Sequence, residues 1–263
     1  MNRDLNDLLS RYDALCEKGL KIDLSRGRPC KTQLDLSNSM LEIIPSSFVD
    51  QKGFDVRNYG EGSGISECKK LFAELLGIEE EEIFVAGNSS LSIQYKLLLE
   101  SFVRGIDGGT PFGKLEEVKW LCPVPGYDRH FSMLESLGVK MINIDMDEHG
   151  PNMDQVEELV QDEAVKGIWC VPIYSNPTGI TYSDEVVRRL AKLSPKAKDF
   201  RIYWDNAYCI HHLSDEPDVI LNLLDECKKT GKENMVLMFA STSKVTFPGA
   251  GIACIGASKE NID

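Results

Sequence analysis

Apolar and polar positions follow two rhythms along this chain. In residues 1–20, Leu5, Leu8, Leu9, Tyr12, Leu15 and Cys16 recur at helical spacing, which predicts one amphipathic helix stopping at Gly19. Residues 21–64 keep no period and hold turn formers at Arg26-Gly27-Arg28-Pro29 and Gly60-Glu61-Gly62-Ser63-Gly64. Residues 65–76 are helical again. Beyond them the apolar residues gather into short runs at 83–86, 118–122, 141–144, 168–173, 202–204, 236–240 and 252–255. Helical patterns separate most of these, at 90–103, 128–137, 153–160, 184–193 and 219–229.

Continuous apolar strands alternating with helices predict a mostly parallel sheet covered on both faces. The expected fold is therefore α/β, with residues 1–64 an N-terminal helix and arm and residues 65–263 a large domain. No helical pattern follows the last apolar run. That strand is expected to lack a covering helix, and the chain to be cut short.

Composition narrows the function classes. Of 263 residues 42% are hydrophobic, ample for a buried core. Lys and Arg number 29 against 42 Asp and Glu, a formal net charge of -13. Such a chain repels phosphate backbones, so no nucleic-acid partner is expected. No apolar run approaches the ~20 residues of a membrane helix, so no membrane partner is expected either. The start, Met1-Asn2-Arg3-Asp4-Leu5, is polar where a signal peptide is apolar. Eight cysteines without a CxxC pair read as free thiols of a cytoplasmic protein.

Several short matches carry little. Gly108, Gly113 and Lys114 satisfy a P-loop spacing, but Leu115 stands where magnesium needs Ser or Thr, and the segment follows a helix. It reads as a loop. Asn88-Ser89-Ser90 fits a glycosylation sequon, without meaning in a cytoplasmic chain. Cys209, His211 and His212 are too close together to converge on one ion, and no second ligand pair lies at zinc spacing. They read as packing plus a surface histidine, with no metal.

Open α/β sheets bind ligands beyond the carboxyl ends of their strands. After 83–86 comes Gly87-Asn88-Ser89-Ser90, leading into a helix, which suits a phosphate or a plain N-cap. After 118–122 comes Pro123-Val124-Pro125-Gly126-Tyr127, a turn presenting a ring. After 168–173 comes Tyr174-Ser175-Asn176-Pro177-Thr178-Gly179, where Pro177 favours an extended Asn176. Asp205-Asn206-Ala207-Tyr208 follows 202–204, and a buried acid there is expected to meet a cation of the protein or of a ligand. Ser241-Thr242-Ser243-Lys244 follows 236–240. A lysine among small hydroxyl residues is expected to be partly desolvated and able to act as an amine nucleophile. Each feature alone has an ordinary structural reading. Together they supply phosphate donors, a ring, an amide, an acid, a tyrosine and an amine at one sheet edge. A flat, phosphorylated, protonated heteroaromatic aldehyde needs that set, and pyridoxal phosphate is such a molecule.

Asn176-Pro177-Thr178-Gly179, Asp205-Asn206-Ala207-Tyr208 and Ser241-Thr242-Ser243-Lys244 resemble the signature blocks of fold-type-I pyridoxal-phosphate aminotransferases. Arg57-Asn58-Tyr59-Gly60, the segment from Cys122 to Phe131, and Phe247-Pro248-Gly249-Ala250-Gly251 are similar to the MocR-type aspartate aminotransferase subgroup. The resemblance implies that Lys244 forms the Schiff base with the cofactor and then shuttles the substrate proton. It implies that Asp205 keeps the pyridine nitrogen protonated, that Asn176 and Tyr208 bond the ring oxygen, and that Tyr127 stacks on the ring. Asn88, Ser89, Ser90, Ser241 and Ser243 would hold the phosphate, and Gly27 would lie near the substrate carboxylate. Tyr59 would reach the phosphate of a second subunit, implying a homodimer with shared sites.

The implied substrates are an amino acid, aspartate or glutamate, and a 2-oxo acid. A lyase acting at Cβ and a cofactor-binding remnant without turnover are the alternatives. Many relatives carry an arginine eight residues after the lysine, where this chain has Ile252. The phosphate would then lean on hydroxyls and backbone N–H groups. The family also continues past residue 263, into a small domain that this chain would largely lack.

Overall fold

A computed structural model describes residues 5–22, 27–43 and 47–263 of the chain. They form two compact units, Met1–Ile43 and Ile44–Asp263. The first holds α1 (Leu5–Glu17), α2 (Lys31–Asp35) and a 3-10 turn at Asn38–Glu42. The predicted first helix is thus present, and the stretch read as irregular contains short helical turns. None of these three elements has a buried residue. Gly27 is described and exposed, whereas Arg26, in the same predicted turn, lies outside the described residues.

The second unit begins at residue 44, so residues 47–64 group with the large unit and not with the arm. The reason is local: the Val85 N–H bonds Ser63 O at 2.9 Å, and Gly64, with φ +103, lies against the Val85 side chain. The helices of this unit are α3 (Ser66–Leu76), α4 (Ser90–Arg104), α5 (Asp128–Ser136), α6 (Met153–Leu159), α7 (Asp184–Lys192), α8 (Leu223–Lys228) and α9 (Lys259–Ile262). Its strands are β1 (Ile83–Val85), β2 (Lys119–Val124), β3 (Lys140–Asp147), β4 (Gly150–Pro151), β5 (Val165–Cys170), β6 (Arg201–Asp205), β7 (Val236–Ser241) and β8 (Ala253–Ala257). They make one sheet in the order β1-β8-β7-β6-β5-β2-β3-β4.

Strands β2, β3, β5, β6 and β7 pair in parallel, while β8 runs antiparallel between β7 and β1. The mostly parallel α/β expectation therefore holds. Two local expectations do not. A short helix, α9, does follow the last strand, because the Ser258 side chain accepts the Asn261 N–H and caps it. Helix α8 starts at Leu223 and not at 219, because Asn222 is its cap, accepting the Asp225 N–H at 3.2 Å. The P-loop-like segment is a 3-10 turn, Phe112–Lys114, that buries Phe112.

Alternation along each strand sends side chains to two cores. Ile202 and Trp204 of β6 face the core built with α3, α6, α7 and α8, while Tyr203 faces the core shared with α4 and α5. Each fully buried large apolar side chain stabilises by ~1.5–3 kcal/mol, so the two cores carry most of the fold. Gly167 of β5 shows how closely the layers approach. A Cβ there would overlap Trp120 and lie 2.7 Å from Arg201 O.

Candidate active site

The register places the ends of β1, β2, β5, β6 and β7 and the start of β8 along one edge: Val85 and Ala240 both pair Cys254, and Asp205 pairs Phe239. The strand-end residues singled out by sequence therefore meet. Asp205 closes β6 on the face of Tyr203, towards α4 and α5, and is 3% exposed. Its Oδ2 accepts Gln94 Nε2 at 3.0 Å and lies 2.9 Å from His130 Nε2. A carboxylate only accepts, so His130 Nε2 carries the hydrogen. The Gln94 amide is oriented in turn, because its Oε1 takes Trp169 Nε1 at 2.8 Å. His130 lies flat on Trp169, ring centroids 4.4 Å apart, and Tyr127 meets His130 edge-on at 5.2 Å.

Asp205 Oδ1 is buried and has no hydrogen-bond partner among the described residues. Leaving such an acceptor unmade costs ~1–3 kcal/mol, more for a charged group. No Lys or Arg reaches Asp205 among the described residues; its partners are an amide and an imidazole, not the protein ammonium or guanidinium group the sequence allowed for. The surroundings are dry: burial pushes the Cys122 thiol, on the same sheet face, up to about 12 and the Cys209 thiol up to about 11.

Lys244 follows β7 in a turn closed by Val245 N to Thr242 O, 2.9 Å. Its Nζ lies 4.8 Å from the Tyr208 ring centroid, and the Tyr208 hydroxyl accepts Asn176 Nδ2 at 3.3 Å. Amine, phenol and amide are thus adjacent. The expected desolvation of Lys244 is not found: the residue is exposed, because its turn stands beyond the strand end, flanked by exposed Val245 and residues 248–250.

At the other end of the group, Ser241 Oγ bonds Ser243 Oγ at 3.0 Å, and Ser243 Oγ donates to Asn88 O at 3.4 Å. Ser89 is the N-cap residue of α4, yet its hydroxyl caps nothing. The cap side chains of α6, α7 and α8, by contrast, all accept a backbone N–H. Asn88 is exposed, Ser89 half-buried and Ser90 buried at the start of this helix. The uncommitted Ser89 hydroxyl and the first N–H groups of α4 stand beside the linked Ser241 and Ser243 hydroxyls, the chemistry of an anion cradle. Ile252 gives its backbone N–H to Thr242 Oγ1 at 3.0 Å.

Two expected residues make no hydrogen bond with this cluster among the described residues. Tyr59 is 98% exposed, and Gly27 belongs to the first unit. Three others were missed: Gln94, His130 and Trp169. The available signal was weak, a glutamine on a helix face it shares with Ser90, Leu98 and Ser101, and a histidine one turn after Tyr127.

The profile of the aspartate aminotransferase family matches residues 2–263. An aspartate aminotransferase of Corynebacterium glutamicum is 43% identical over 257 residues, covering 97% of this chain and 60% of its own length. A crystal structure of an aspartate transaminase from the same organism superposes with a TM-score of 0.93, over 97% of this chain and 61% of that one. The α-aminoadipate aminotransferase LysN of Thermus thermophilus, solved with N-(5'-phosphopyridoxyl)-L-leucine, shares the fold at a TM-score of 0.62 and 20% identity, over 78% of this chain and 49% of that one. The chain spans about three fifths of the length of the Corynebacterium glutamicum sequence and of the solved chain that it matches. With its strand-end residues gathered at one edge and this likeness along its whole length, the chain belongs to the aspartate aminotransferase family.

Proposed function

We propose that this chain carries the pyridoxal-phosphate machinery of a transaminase that moves an amino group from an amino acid, aspartate or glutamate, to a 2-oxo acid. One observation carries the reading: Asp205 Oδ1, a buried carboxylate oxygen without a hydrogen-bond partner among the described residues, lies at the same edge as the Lys244 amine. A protonated ring nitrogen is the partner that such an oxygen lacks, and the uncommitted Ser89 hydroxyl with the α4 N-terminus suits the phosphate. The residues present therefore fit the cofactor.

When bound, pyridoxal phosphate supplies an electron sink for the pair released at the substrate Cα. The chain's own residues do the rest. Lys244 Nζ would hold the cofactor and would take and return the Cα proton. Asp205 Oδ1, in dry surroundings, favours a positive charge facing it. Gln94 and His130 hold that carboxylate in place from the other oxygen. Asn176 and Tyr208 donate towards the ring oxygen, Tyr127 covers one ring face, and Asn88, Ser89, Ser90, Ser241 and Ser243 hold the phosphate. Gly27 lies near the substrate carboxylate in this reading.

Tyr59, wholly exposed, is suited to reach the phosphate of a second copy, so we assign a homodimer with shared sites. Among the described residues no helix is long and apolar enough to cross a membrane, and we place the protein in the cytoplasm.

Borohydride treatment of the cofactor-loaded chain is expected to leave a pyridoxyl group on Lys244, absent in Lys244→Ala. Asp205→Asn is expected to keep the cofactor but lower turnover with 2-oxoglutarate by ~10²–10³, the scale of losing a preorganised electrostatic group. A pyridoxyl group found only on other lysines rejects the assignment.

A further inference from the structure

The loop after β6 carries His211 and His212, to which the proposed chemistry gives no task. Each reaches a different loop of the site edge. His211 Nε2 lies 3.0 Å from the Lys244 carbonyl oxygen. A carbonyl only accepts, so Nε2–H donates. His212 Nδ1 lies 3.1 Å from the Tyr174 hydroxyl, whose oxygen already accepts the Asp218 N–H at 2.9 Å. Tyr174 stands two residues before Asn176. The two histidines therefore tie the lysine turn and the asparagine loop to the loop that bears Tyr208.

The bond to Lys244 stands out. Val245 and Thr246 both donate to Thr242 O, at 2.9 and 3.4 Å, and close the turn beneath the lysine. No backbone N–H among the described residues takes the Lys244 carbonyl; the imidazole does. His211 Nδ1 is buried without a partner among the described residues, so no second polar group pulls the ring elsewhere. The same ring meets the Tyr208 ring edge-on at 6.1 Å, while Lys244 Nζ rests 4.8 Å from that ring's centroid. His211 thus touches both the lysine's backbone and the surface on which its amine lies.

Building on the reading of Lys244 as the cofactor lysine, we propose that His211 is a positioning residue that fixes the Lys244 peptide, so that the amine of an exposed turn stays on Tyr208 beside Asn176. A lysine stem has four rotatable bonds, and an unanchored turn would add backbone freedom to them. Anchoring raises the fraction of time that the amine spends in reach of an aldehyde, which is a gain in effective concentration.

The test uses the full chain with pyridoxal phosphate, trapped by borohydride, with pyridoxyl groups counted by mass spectrometry at Lys244 and at exposed Lys259 as reference. His211→Gln keeps an N–H donor, and His211→Met has similar length without one. One lost hydrogen bond predicts capture at Lys244 about fivefold slower in His211→Met, and within about twofold of the unaltered chain in His211→Gln. Capture at Lys259 stays unchanged. The visible absorbance of the loaded chain is expected to titrate as in the unaltered chain for Gln and to be displaced for Met.

Equal capture in both variants overturns the positioning role while leaving the proposed function intact. If the unaltered chain shows no preference for Lys244 over Lys259, the proposed function falls and the His211 role falls with it. Should His211→Met not fold, His211→Glu against His211→Gln repeats the comparison at equal size, and equal capture again overturns the role.

Discussion

Arg201 and Asp205 stand at the two ends of β6, on one face of the strand, 4% and 3% exposed, and the molecule treats them oppositely. At the amino end Arg201 donates to Asp107 Oδ2 at 2.6 Å and to Phe200 O at 3.1 Å. On the neighbouring strand, buried Lys166 takes both oxygens of Asp199, at 2.8 and 3.0 Å. Lys166 and Arg201, the buried cations of that edge among the described residues, are each answered by a carboxylate. At the carboxyl end Asp205 has an amide and an imidazole on one oxygen and nothing on the other among the described residues. The amino edge is closed for stability, and the carboxyl edge is open to a partner from outside the chain.

Breaking the closed edge is expected to cost most. Asp199→Ala strands Lys166 in the interior and should lower the unfolding free energy by ~3–5 kcal/mol in urea titrations. Asp205→Asn should stay within about 1 kcal/mol of the unaltered chain, because Oδ1 has no partner to lose. Equal losses would erase the contrast.

Gly167→Ala comes next. The new methyl meets Trp120 and Arg201 O, so stability should fall by ~1–3 kcal/mol, with an altered near-ultraviolet tryptophan spectrum and unchanged pyridoxyl capture at Lys244. A change in capture would mean that the two edges are coupled.

The core on the opposite sheet face at the same strand ends is tested by its sulfur. Burial raises the Cys170 thiol from 9.0 to about 12. The folded chain therefore keeps a proton that the unfolded chain gives up, so this contribution is complete below pH 9 and is lost as pH rises towards about 12. The slope is at most about 1.4 kcal/mol per pH unit for this thiol, and Cys170→Ala should flatten it in urea titrations between those limits. An unchanged slope would mean that water reaches the sulfur.

The smallest difference concerns caps. Ser183→Ala removes a hydrogen bond to Val186 N and should cost ~1 kcal/mol, whereas Ser89→Ala should cost only a few tenths because its hydroxyl caps nothing. Urea midpoints of the two variants check this, and equal shifts would show that Ser89 is an ordinary cap.

Most of the architecture was legible in the chain's periodicity, because burial on one face of a helix or on both faces of a strand leaves a local record. The seven apolar runs became strands, and β4, with two residues, was too short to leave a pattern. The strand-end residues were legible too, since position after a buried run is a sequence property. Asp205, Tyr208, Asn176, Ser241, Ser243 and Lys244 are found where that logic put them. The state of Lys244 was not: desolvation depends on what covers a turn, and nothing in Ser241-Thr242-Ser243-Lys244 encodes its cover.

The partners of Asp205 mark the same boundary. Gln94 and His130 are 111 and 75 residues away in sequence, and Trp169 reaches the carboxylate only through Gln94. Their meeting requires β6 to lie beside β5, and α4 and α5 to pack on the same sheet face. The insertion of β8 antiparallel between β7 and β1 likewise sets where Gly87 and Ala253 join, and with them the Asn88 loop. Local periodicity carries which elements form and which residues end them. Strand order, and through it every hydrogen bond between distant residues at the site, comes from the joint packing of two cores, to which no single segment holds the information.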